Sequence, residues 1–209
     1  STDMKLKQLC AAMLNYGAAA QNYFGHNTEN LANTTLTEEQ KLLPEAYNAD
    51  MISAVPSVAK EKQGEFASNK GFSTRRPAVS FEGAFSINYY FVNGLPVNGN
   101  MTMYYWTSDT YNKVSQLTRT NANGSITMVK DGERYWAEIS NIAAKDMDST
   151  IYVAGVYTSG GIRYNSPVLS YSLSTYCADQ ITKGSATMQD FAKATVVYGD
   201  AAKTYFASL

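Results

Sequence analysis

Apolar residues recur at helical spacing near both ends of the chain and at strand spacing in its middle third. Over Met4–Phe24 they return every three or four residues, which predicts an amphipathic helix that ends at Gly25. A second helix is predicted from Thr37, because Thr37 and Gln40 have the spacing of a capping box. Prolines follow this box, so the second helical region should be broken rather than continuous.

The middle third alternates apolar and polar side chains, which is the pattern of a half-buried strand. The alternation holds from Val79 to Phe91 and predicts one strand that is bent at Gly83. The apolar face of this strand should point between two sheets, and it carries Phe81, Phe85, Ile87, Tyr89 and Phe91.

Further strands follow, each bounded by turn residues. They are predicted at Met101–Thr107, Ser125–Lys130, Arg134–Ser140, Thr150–Thr158 and Ile162–Ser166. Asn93-Gly94 marks a turn, and tight hairpins are predicted at Asp131-Gly132 and at Ser159-Gly160-Gly161. Short turns without intervening helices favour an antiparallel β-sandwich of the immunoglobulin-like or Greek-key type, flanked by N- and C-terminal helices.

Helical spacing returns after the last strand, over Val168–Thr182 and over Met188–Phe206. Thr187 and Asp190 have the spacing of a capping box near the start of the second of these helices. Residues 1–70 are therefore predicted to form an N-terminal helical segment that closes with a linker, and residues 71–167 the β-sandwich. Residues 168–209 are predicted to form a C-terminal helical segment that packs on the same module.

Composition narrows the class of protein. The 209 residues are 44% hydrophobic and 17% charged, with a net charge of −1, which gives no electrostatic reason to expect nucleic acid or an anionic membrane as a partner. No apolar run is long enough to span a bilayer. The 16 tyrosines, together with many Asn, Ser and Thr residues, are typical of extracellular β-rich modules rather than of cytosolic enzymes.

The two terminal helices carry the same motif. Residues 16–24 read YGAAAQNYF and residues 198–206 read YGDAAKTYF, an offset of 182 (198 − 16) that also aligns Ala12 with Ala194. Gly17 and Ala20, beside two tyrosines, would let a neighbouring helix approach closely. A unit that begins and ends with the same helix is typical of one period of an array, or of a module bounded by shared joints, so we expect the chain to be part of a longer protein.

Four segments carry a resemblance to a known group of proteins: Ala12–Phe24, Leu31–Glu38, Tyr171–Tyr176 and Tyr198–Phe206. Over most of its length the chain resembles repeated β-rich modules, flanked by helices of the YGAAAQ type, in large secreted and surface proteins of Gram-positive gut anaerobes. The resemblance implies an extracellular setting in adhesion, at the cell surface or in polysaccharide degradation. It attaches no activity to the module itself.

Few residues offer catalytic chemistry. His26 is the one histidine and lies at a predicted helix end, so neither a histidine-based zinc site nor a Ser-His-Asp triad is expected. Glu82 and Glu138 lie on polar strand faces and could form the carboxylate pair of a glycosidase, with ordinary surface charges as the alternative. No phosphate-binding or dinucleotide-binding glycine motif appears, so no cofactor is predicted and we expect the chain not to be an enzyme.

Two further pairs of residues leave alternatives open. Asp146 and Asp148 could supply calcium ligands or lie in a simple turn, and no metal site is predicted from them. Cys10 and Cys177 each lie in a helix-like apolar stretch. They are predicted to be buried free thiols, with a disulfide that joins the two ends of the chain as the alternative.

Four aromatic residues fall on strand faces that are otherwise polar, namely Tyr90, Tyr104, Trp106 and Trp136. A ring with a large apolar face and a polar edge suits stacking on the C–H face of a sugar. We therefore predict these four side chains to be carbohydrate-stacking candidates on an open surface. The alternative is that the terminal helices pack on these four side chains and cover them.

Taken together with this resemblance, the patterns lead us to expect a non-catalytic extracellular module of a bacterial surface or secreted multidomain protein, which serves adhesion or attachment to carbohydrate. Its partners would be a polysaccharide or a host or plant surface glycan, and the neighbouring modules of the same chain. Nucleic acid and insertion into a membrane are not expected. A spacer or joint without a ligand is the alternative, and a glycoside hydrolase is a further one.

Overall fold

The computed structural model describes residues 1–67, 72–93 and 101–209, with every side chain among them except that of Asn93. The chain forms two compact units. The helical unit consists of Ser1–Ala54, Ala143–Asp148 and Leu173–Leu209. The sheet unit consists of Val55–Ile142 and Ser149–Ser172. The chain therefore leaves the helical unit twice and returns to it twice.

The helical unit is built on two long helices, as the terminal apolar periodicity predicts. Its helices are α1 (Thr2–Phe24), α2 (Glu38–Lys41), α4 (Leu173–Lys183) and α5 (Ala186–Phe206), and α3 (Ser108–Lys113) belongs to the sheet unit. Short 3-10 turns at Leu43–Ala46, Ala49–Met51 and Ala144–Asp146 complete the helical unit. None of the helices in the described residues combines the length and apolar character that crossing a membrane requires.

Side-chain caps fix the helix ends, and they confirm one predicted capping box and correct another. At α2 the Thr37 hydroxyl accepts from the backbone of Gln40, and the Gln40 side chain accepts from the backbone of Thr37, as predicted, although the helix is only one turn long. At α5 the cap is Ser185, whose hydroxyl accepts from the backbone N–H of Met188. Thr187, the predicted cap, lies inside the helix because α5 begins earlier than its apolar residues indicate.

Helices α1 and α5 pack antiparallel through their repeated motifs. The rings of Tyr16 and Tyr198 stack with centroids 5.4 Å apart, and Tyr23 stacks on Phe191 at the same distance. Burial raises the pKa of Tyr16 to about 12, with a further contribution from Tyr198. The two terminal helices therefore lie against each other, and Tyr16 and Tyr198 are both half-buried.

The two cysteines are free and lie in different environments. Cys177 is buried on α4, where burial raises the pKa of its thiol to about 12, so the reactive thiolate is scarce near neutral pH. Cys10 is exposed on α1, so the prediction that it is buried is wrong. The apolar stretch around Cys10 turns outward because the other side of α1 is the one that packs on α5.

The sheet unit contains two antiparallel sheets, which confirms the predicted antiparallel β-architecture with terminal helices. Its strands are β1 (Phe72–Ser80), β2 (Phe85–Asn93), β3 (Met101–Thr107), β4 (Gly124–Thr127), β5 (Val129–Asp131), β6 (Arg134–Ile142), β7 (Ile151–Ser159), β8 (Ile162–Asn165) and β9 (Leu169–Tyr171). One sheet has the order β1-β2-β6-β5. The other has the order β4-β3-β7-β8, and β9 also pairs with β7.

The strand predicted from Val79 to Phe91 is a hairpin, so the single-strand prediction is wrong. The chain reverses through residues 81–84, where Gly83 has a φ of 78°, and β2 then pairs with β1. Phe81 lies in this turn and contacts the Phe85 ring at 5.8 Å instead of extending the strand. The alternation survives the reversal because Ser80 pairs with Ser86, and the odd number of residues between them keeps the apolar positions of both strands in phase.

The segment predicted as one strand from Ser125 to Lys130 contributes to both sheets. It forms β4 in one sheet and β5 in the other, and the change occurs at the buried residue Met128. The Met128 N–H donates to Met101 O at 2.7 Å, which holds the corner in place. Alternation alone gives no sign of this corner, because side chains continue to alternate on either side of it.

The two short hairpins are confirmed, and two strands were missed by the prediction. Asp131 pairs with Arg134 across a two-residue turn, as Ser159 pairs with Ile162. No strand was predicted over most of β1, because a bulge after Arg75 interrupts its pattern. The Val168–Thr182 helix begins only at Leu173, since β9 occupies the residues before it. The predicted Asn93-Gly94 turn extends beyond the described residues.

The predicted apolar face of β2 is buried at Phe85, Ile87, Tyr89 and Phe91. Gly155 on β7 marks where this face meets the other sheet. A methyl group on residue 155 would lie 2.7 Å from Met101 Cε and 3.2 Å from the Phe91 ring. The absence of a side chain at residue 155 is therefore what lets the Phe91 ring approach the β7 backbone.

Replacement of Gly155 by Ala should lower the free energy of unfolding by about 1–3 kcal/mol, because the added methyl group would displace the buried side chains of Met101 and Phe91. Chemical denaturation of wild type and variant measures the difference. Thr158→Ala, at an exposed position on the same strand, is the matched control and should change stability by less than about 0.5 kcal/mol. Equal losses in both variants would contradict the close packing at Gly155.

Candidate functional site

Trp106 is completely buried, so the prediction that it lies on an open surface is wrong. Its indole N–H donates to the Asn121 side chain at 2.9 Å, and its ring meets the Phe66 ring edge-on at 5.3 Å. Tyr104 packs against the same cluster. The cluster around Trp106 contains Phe66, Tyr111, Leu117, Tyr152, Ala154, Val156 and Val168. These residues all belong to the sheet unit, so this unit covers its own five-stranded sheet.

Residues 60–66 and 116–121 carry Phe66 and Leu117, which pack around Trp106, and we call these two segments the cover. An ion-pair network holds the cover in place. The Glu65 carboxylate accepts from the Arg119 backbone and side chain and from Arg163 Nη1, the last at 2.5 Å. The Leu117 N–H donates to Lys62 O at 3.0 Å. Burial alone would raise the pKa of Glu65, but the Arg119 backbone bond and the two guanidinium groups outweigh it and hold this pKa below its ordinary value. The network therefore joins the 60–66 segment to the 116–121 segment.

The other two candidates, Tyr90 and Trp136, lie together on the four-stranded sheet. They are directly opposite each other on β2 and β6, and Trp136 is also opposite Val129 on β5, while Tyr90 is opposite Arg75 on β1. Opposite residues of an antiparallel pair share a face, so these four side chains form one row across all four strands. We call Arg75, Tyr90, Trp136 and Val129 the aromatic row.

The aromatic row is open. Arg75 and Val129 are exposed, Val129 by 53%, and both rings are half-buried. The adjacent residues Tyr89 and Phe91 on β2, and Tyr135 and Ala137 on β6, point to the buried side. With strands about 4.8 Å apart, the row extends over roughly 14 Å. It offers a shallow apolar strip flanked by polar groups.

Polar side chains border the row. Arg134 places its guanidinium over the Tyr90 ring at 5.4 Å, and Asp131 accepts from this guanidinium at 2.7 Å. On the same face, next to Tyr90 and Trp136, Asn88 is opposite Glu138. An amide and a carboxylate within one residue pair of the rings supply donors and acceptors beside the stacking surface. This combination of flat rings and polar groups is what a sugar ring requires.

The sequence identified the two rings of the row but missed Arg75 and Val129. Their contribution depends on pairing across strands, which brings together residues that are far apart in the chain. The hairpin at Asp131-Gly132 was the one available signal, because its two-residue turn already sets Val129 opposite Trp136.

The helical unit contains a polar groove of about 420 Å³ between α1, the start of α5 and residues 31–45. Asn15 forms part of its wall, donating to Gln40 O at 2.7 Å and accepting from the Asn33 side chain at 2.9 Å. Lys41, Glu45, Asp190 and Lys193 also line it. The lining mixes both signs of charge and includes no aromatic ring, so it lacks a stacking surface.

The structure places Glu82, Asp146 and Asp148 in turns, and Glu138 beside the aromatic row. Glu82 lies in the exposed turn before β2 and not on a strand, so its predicted strand position is wrong. Asp148 accepts from the Ser53 backbone at 2.7 Å and lies 3.6 Å from Lys203 Nζ. Asp146 pairs with Lys145. The described residues contain no group of three or more His, Cys, Asp or Glu side chains that could hold a metal ion.

Comparison with known proteins adds little to this geometry. The chain matches no protein-family model, and the comparison with curated proteins finds no match. Among solved structures, the crystal structure of a bromine derivative of BhCBM56 is 11% identical and covers 47% of this chain and 97% of its own, with a TM-score of 0.32. A similarity of this size carries no argument about the fold or function of this chain.

Replacing Trp106 by alanine should destabilise the protein more than replacing Trp136, because Trp106 lies on a covered sheet face and Trp136 on an open one. Trp106→Ala removes a fully buried ring and should cost about 3–5 kcal/mol of stability. Trp136→Ala removes a half-buried ring and should cost less, about 1–2 kcal/mol. Denaturant titration of both variants measures the difference, and equal losses would contradict the assignment of Trp136 to an open face.

Removal of the Glu65 charge should destabilise the protein in a pH-dependent way. Glu65→Gln should cost about 1 kcal/mol at pH 7, because a charged acceptor becomes neutral. The pKa of Glu65 is lower in the folded state than in the unfolded state, so its contribution is present above the unfolded-state value and is lost as pH falls through the folded-state value. The difference from wild type should therefore shrink below about pH 4.

Denaturation at pH 7 and at lower pH gives this measurement. Glu61→Gln is the matched control, because Glu61 lies exposed on the same segment as Glu65. A loss that is equal in the two variants, or that persists unchanged at low pH, would show that the carboxylate of Glu65 does not hold the cover.

Proposed function

We propose that the chain is a non-catalytic module that attaches to carbohydrate through the aromatic row. The observation that carries the proposal is the direct pairing of Tyr90 with Trp136 on an open sheet face, between an exposed arginine and an exposed valine. Aromatic residues with polar edges bind the apolar face of a sugar while neighbouring polar groups bind its hydroxyls. An exposed apolar strip of this kind is typical of a binding surface.

The row suits a sugar chain lying flat rather than a sugar held in a pocket. Its four side chains belong to four adjacent strands, so a ligand would cross the strands along the row. Arg75 at one end and the Asn88–Glu138 pair beside the rings would supply hydrogen bonds to hydroxyl groups. The open surface lets a polysaccharide enter without a free chain end.

The setting that we propose for this activity is extracellular, on a bacterial surface or in a secreted multidomain protein. The abundance of Tyr, Asn, Ser and Thr and the resemblance of the repeated helices support this setting. We further infer that the two sheets form a sandwich related to the immunoglobulin-like type. The approach of the Phe91 ring on one sheet to Gly155 on the other supports this inference.

A second candidate function is a joint that positions neighbouring modules and binds no ligand. The observation that favours it is the packing of the two repeated helices on each other, through Tyr16 and Tyr198, at the two ends of the chain. Attachment to carbohydrate requires the rings of the aromatic row, whereas a joint between modules does not.

Trp136→Ala should weaken polysaccharide binding by roughly one to two orders of magnitude, because loss of a stacking ring costs about 1–3 kcal/mol. Pull-down on insoluble polysaccharides and affinity electrophoresis in soluble ones, over a panel of plant and bacterial glycans, measure the effect. The melting temperature should fall much less than in Trp106→Ala, which removes a fully buried ring. Tyr90→Ala should weaken binding in the same way.

Tyr205→Ala is the matched control, because Tyr205 is a partly exposed aromatic residue on α5 in the helical unit and does not belong to the row. This variant should retain the binding of the parent protein. If the parent protein binds no glycan in the panel, the joint is the favoured function. If the Trp136 and Tyr205 variants lose binding equally, the binding surface is not the aromatic row.

A further inference from the structure

The two copies of the repeated motif are covered differently, although they pack on each other through equivalent positions. Ala12 on α1 and its equivalent Ala194 on α5 are both buried. Tyr16 and its equivalent Tyr198 stack on each other. The helices therefore present the same face to one another, and what distinguishes them is the rest of their surface.

A second face of α5 is covered within the helical unit. Met188, Ala192, Thr195 and Gly199 follow each other at spacings of four, three and four residues, so they form one stripe along the helix. Met188, Ala192 and Thr195 are buried. The Gly184 that follows α4 lies against Met188, and Met147 lies against Gly199. Helix α4 and the turn at Ala144–Asp146 are thus the elements that pack on this side of α5.

The equivalent stripe on α1, at the same offset of 182 residues, is largely uncovered. It consists of Leu6, Cys10, Met13 and Gly17. Leu6 is 41% exposed, Met13 is 46% exposed, and Cys10 is exposed. At Gly17 the stripe is already packed, because a methyl group there would lie 3.0 Å from Ala32 Cβ. The exposed part therefore continues directly from an interface that is formed.

We propose that Leu6, Cys10 and Met13 form a docking site for a short helix of the α4 type, supplied by a neighbouring module. Helix α4 covers the equivalent stripe on α5 and so shows what kind of element this surface accepts. Its buried positions, Leu173, Ser174 and Cys177, combine one large apolar side chain with two small ones. A helix with this pattern would cover α1 as α4 covers α5. The site lies on the helical unit and is independent of carbohydrate binding.

The size of the site favours a tethered helix over a second copy of the whole chain. A stable interface between separate proteins buries about 800 Å² on each partner, and three partly exposed side chains offer a small part of that area. A helix that is covalently linked to α1 does not need so large a surface, because tethering raises its effective concentration to the millimolar range. The proposal therefore commits to a helix joined to α1 in one chain.

The test is an extended form of the full chain. A copy of residues 167–184 is attached directly before Asp3, which replaces Ser1 and Thr2 and gives the copy the same spacing to α1 that α4 has to α5. The substitution Cys177→Ala within the copy leaves Cys10 as the one exposed thiol. Docking should slow the reaction of Cys10 with a thiol reagent in native buffer by at least about tenfold. The melting temperature should also rise.

Two variants make the result specific. Leu173→Asp within the copy should restore the rapid reaction of Cys10, because the docked helix loses its large apolar side chain. Leu6→Asp should cancel the gain in melting temperature in the extended chain, while changing little in the unextended chain, where Leu6 is exposed. Lys7→Asp, one position away from the stripe, is the matched control and should leave the gain in place.

Three results would overturn the proposal. One is an unchanged rate of Cys10 reaction on extension, and another is equal protection by the copy that carries Leu173→Asp. The third is protection of Cys10 in the unextended chain that increases with protein concentration, which would assign the stripe to contact between copies. None of these measurements involves a polysaccharide, so the outcome is independent of whether the aromatic row binds one.

Discussion

The antiparallel register of β2 against β6 is the constraint on which both faces of the four-stranded sheet depend. Consecutive pairs in this register are Tyr89 with Ala137 and Tyr90 with Trp136, and they point to opposite sides. A shift of one residue would turn the aromatic pair inward and expose the apolar side chains of β2, so burial of Phe91 and Tyr89 strongly favours the observed register. Packing of the core side chains thereby fixes the positions of Tyr90 and Trp136 on the opposite face of the sheet.

Alternation along the strands could be predicted from the sequence, but strand ends and sheet membership largely could not. The β3 strand and the two glycine hairpins match the prediction because each depends on a local pattern. The turn before β2 and the corner at Met128 keep the alternation in phase, so no local signal marks them. The β1 strand was missed because Pro77 and the bulge beside it interrupt the pattern that would have revealed it.

For the candidate site, too, the sequence predicts which face of a strand a residue lies on but not what packs on that face. Alternation correctly assigns Trp106 and Trp136 to the faces of their strands that are opposite the apolar positions, but it cannot show whether a distant segment covers such a face. Trp106 is covered because Phe66 and Leu117, from segments without strand or helix periodicity, meet above it. Their meeting depends on a carboxylate and two arginines that are far apart in the chain. Trp136 lies on a face where its neighbours Val129 and Glu138 are exposed.

The antiparallel pairing of α1 and α5 also determines how the chain responds to tension. Lys5 and Gln8 lie near Ala201 and Thr204, so both termini leave the helix pair at the same end. A force applied between the termini therefore peels the two helices apart turn by turn, rather than sliding them along their full length. Peeling breaks few contacts at a time, so the contact between Tyr16 and Tyr198 would yield at low force and act as an extensible link at the ends of the chain.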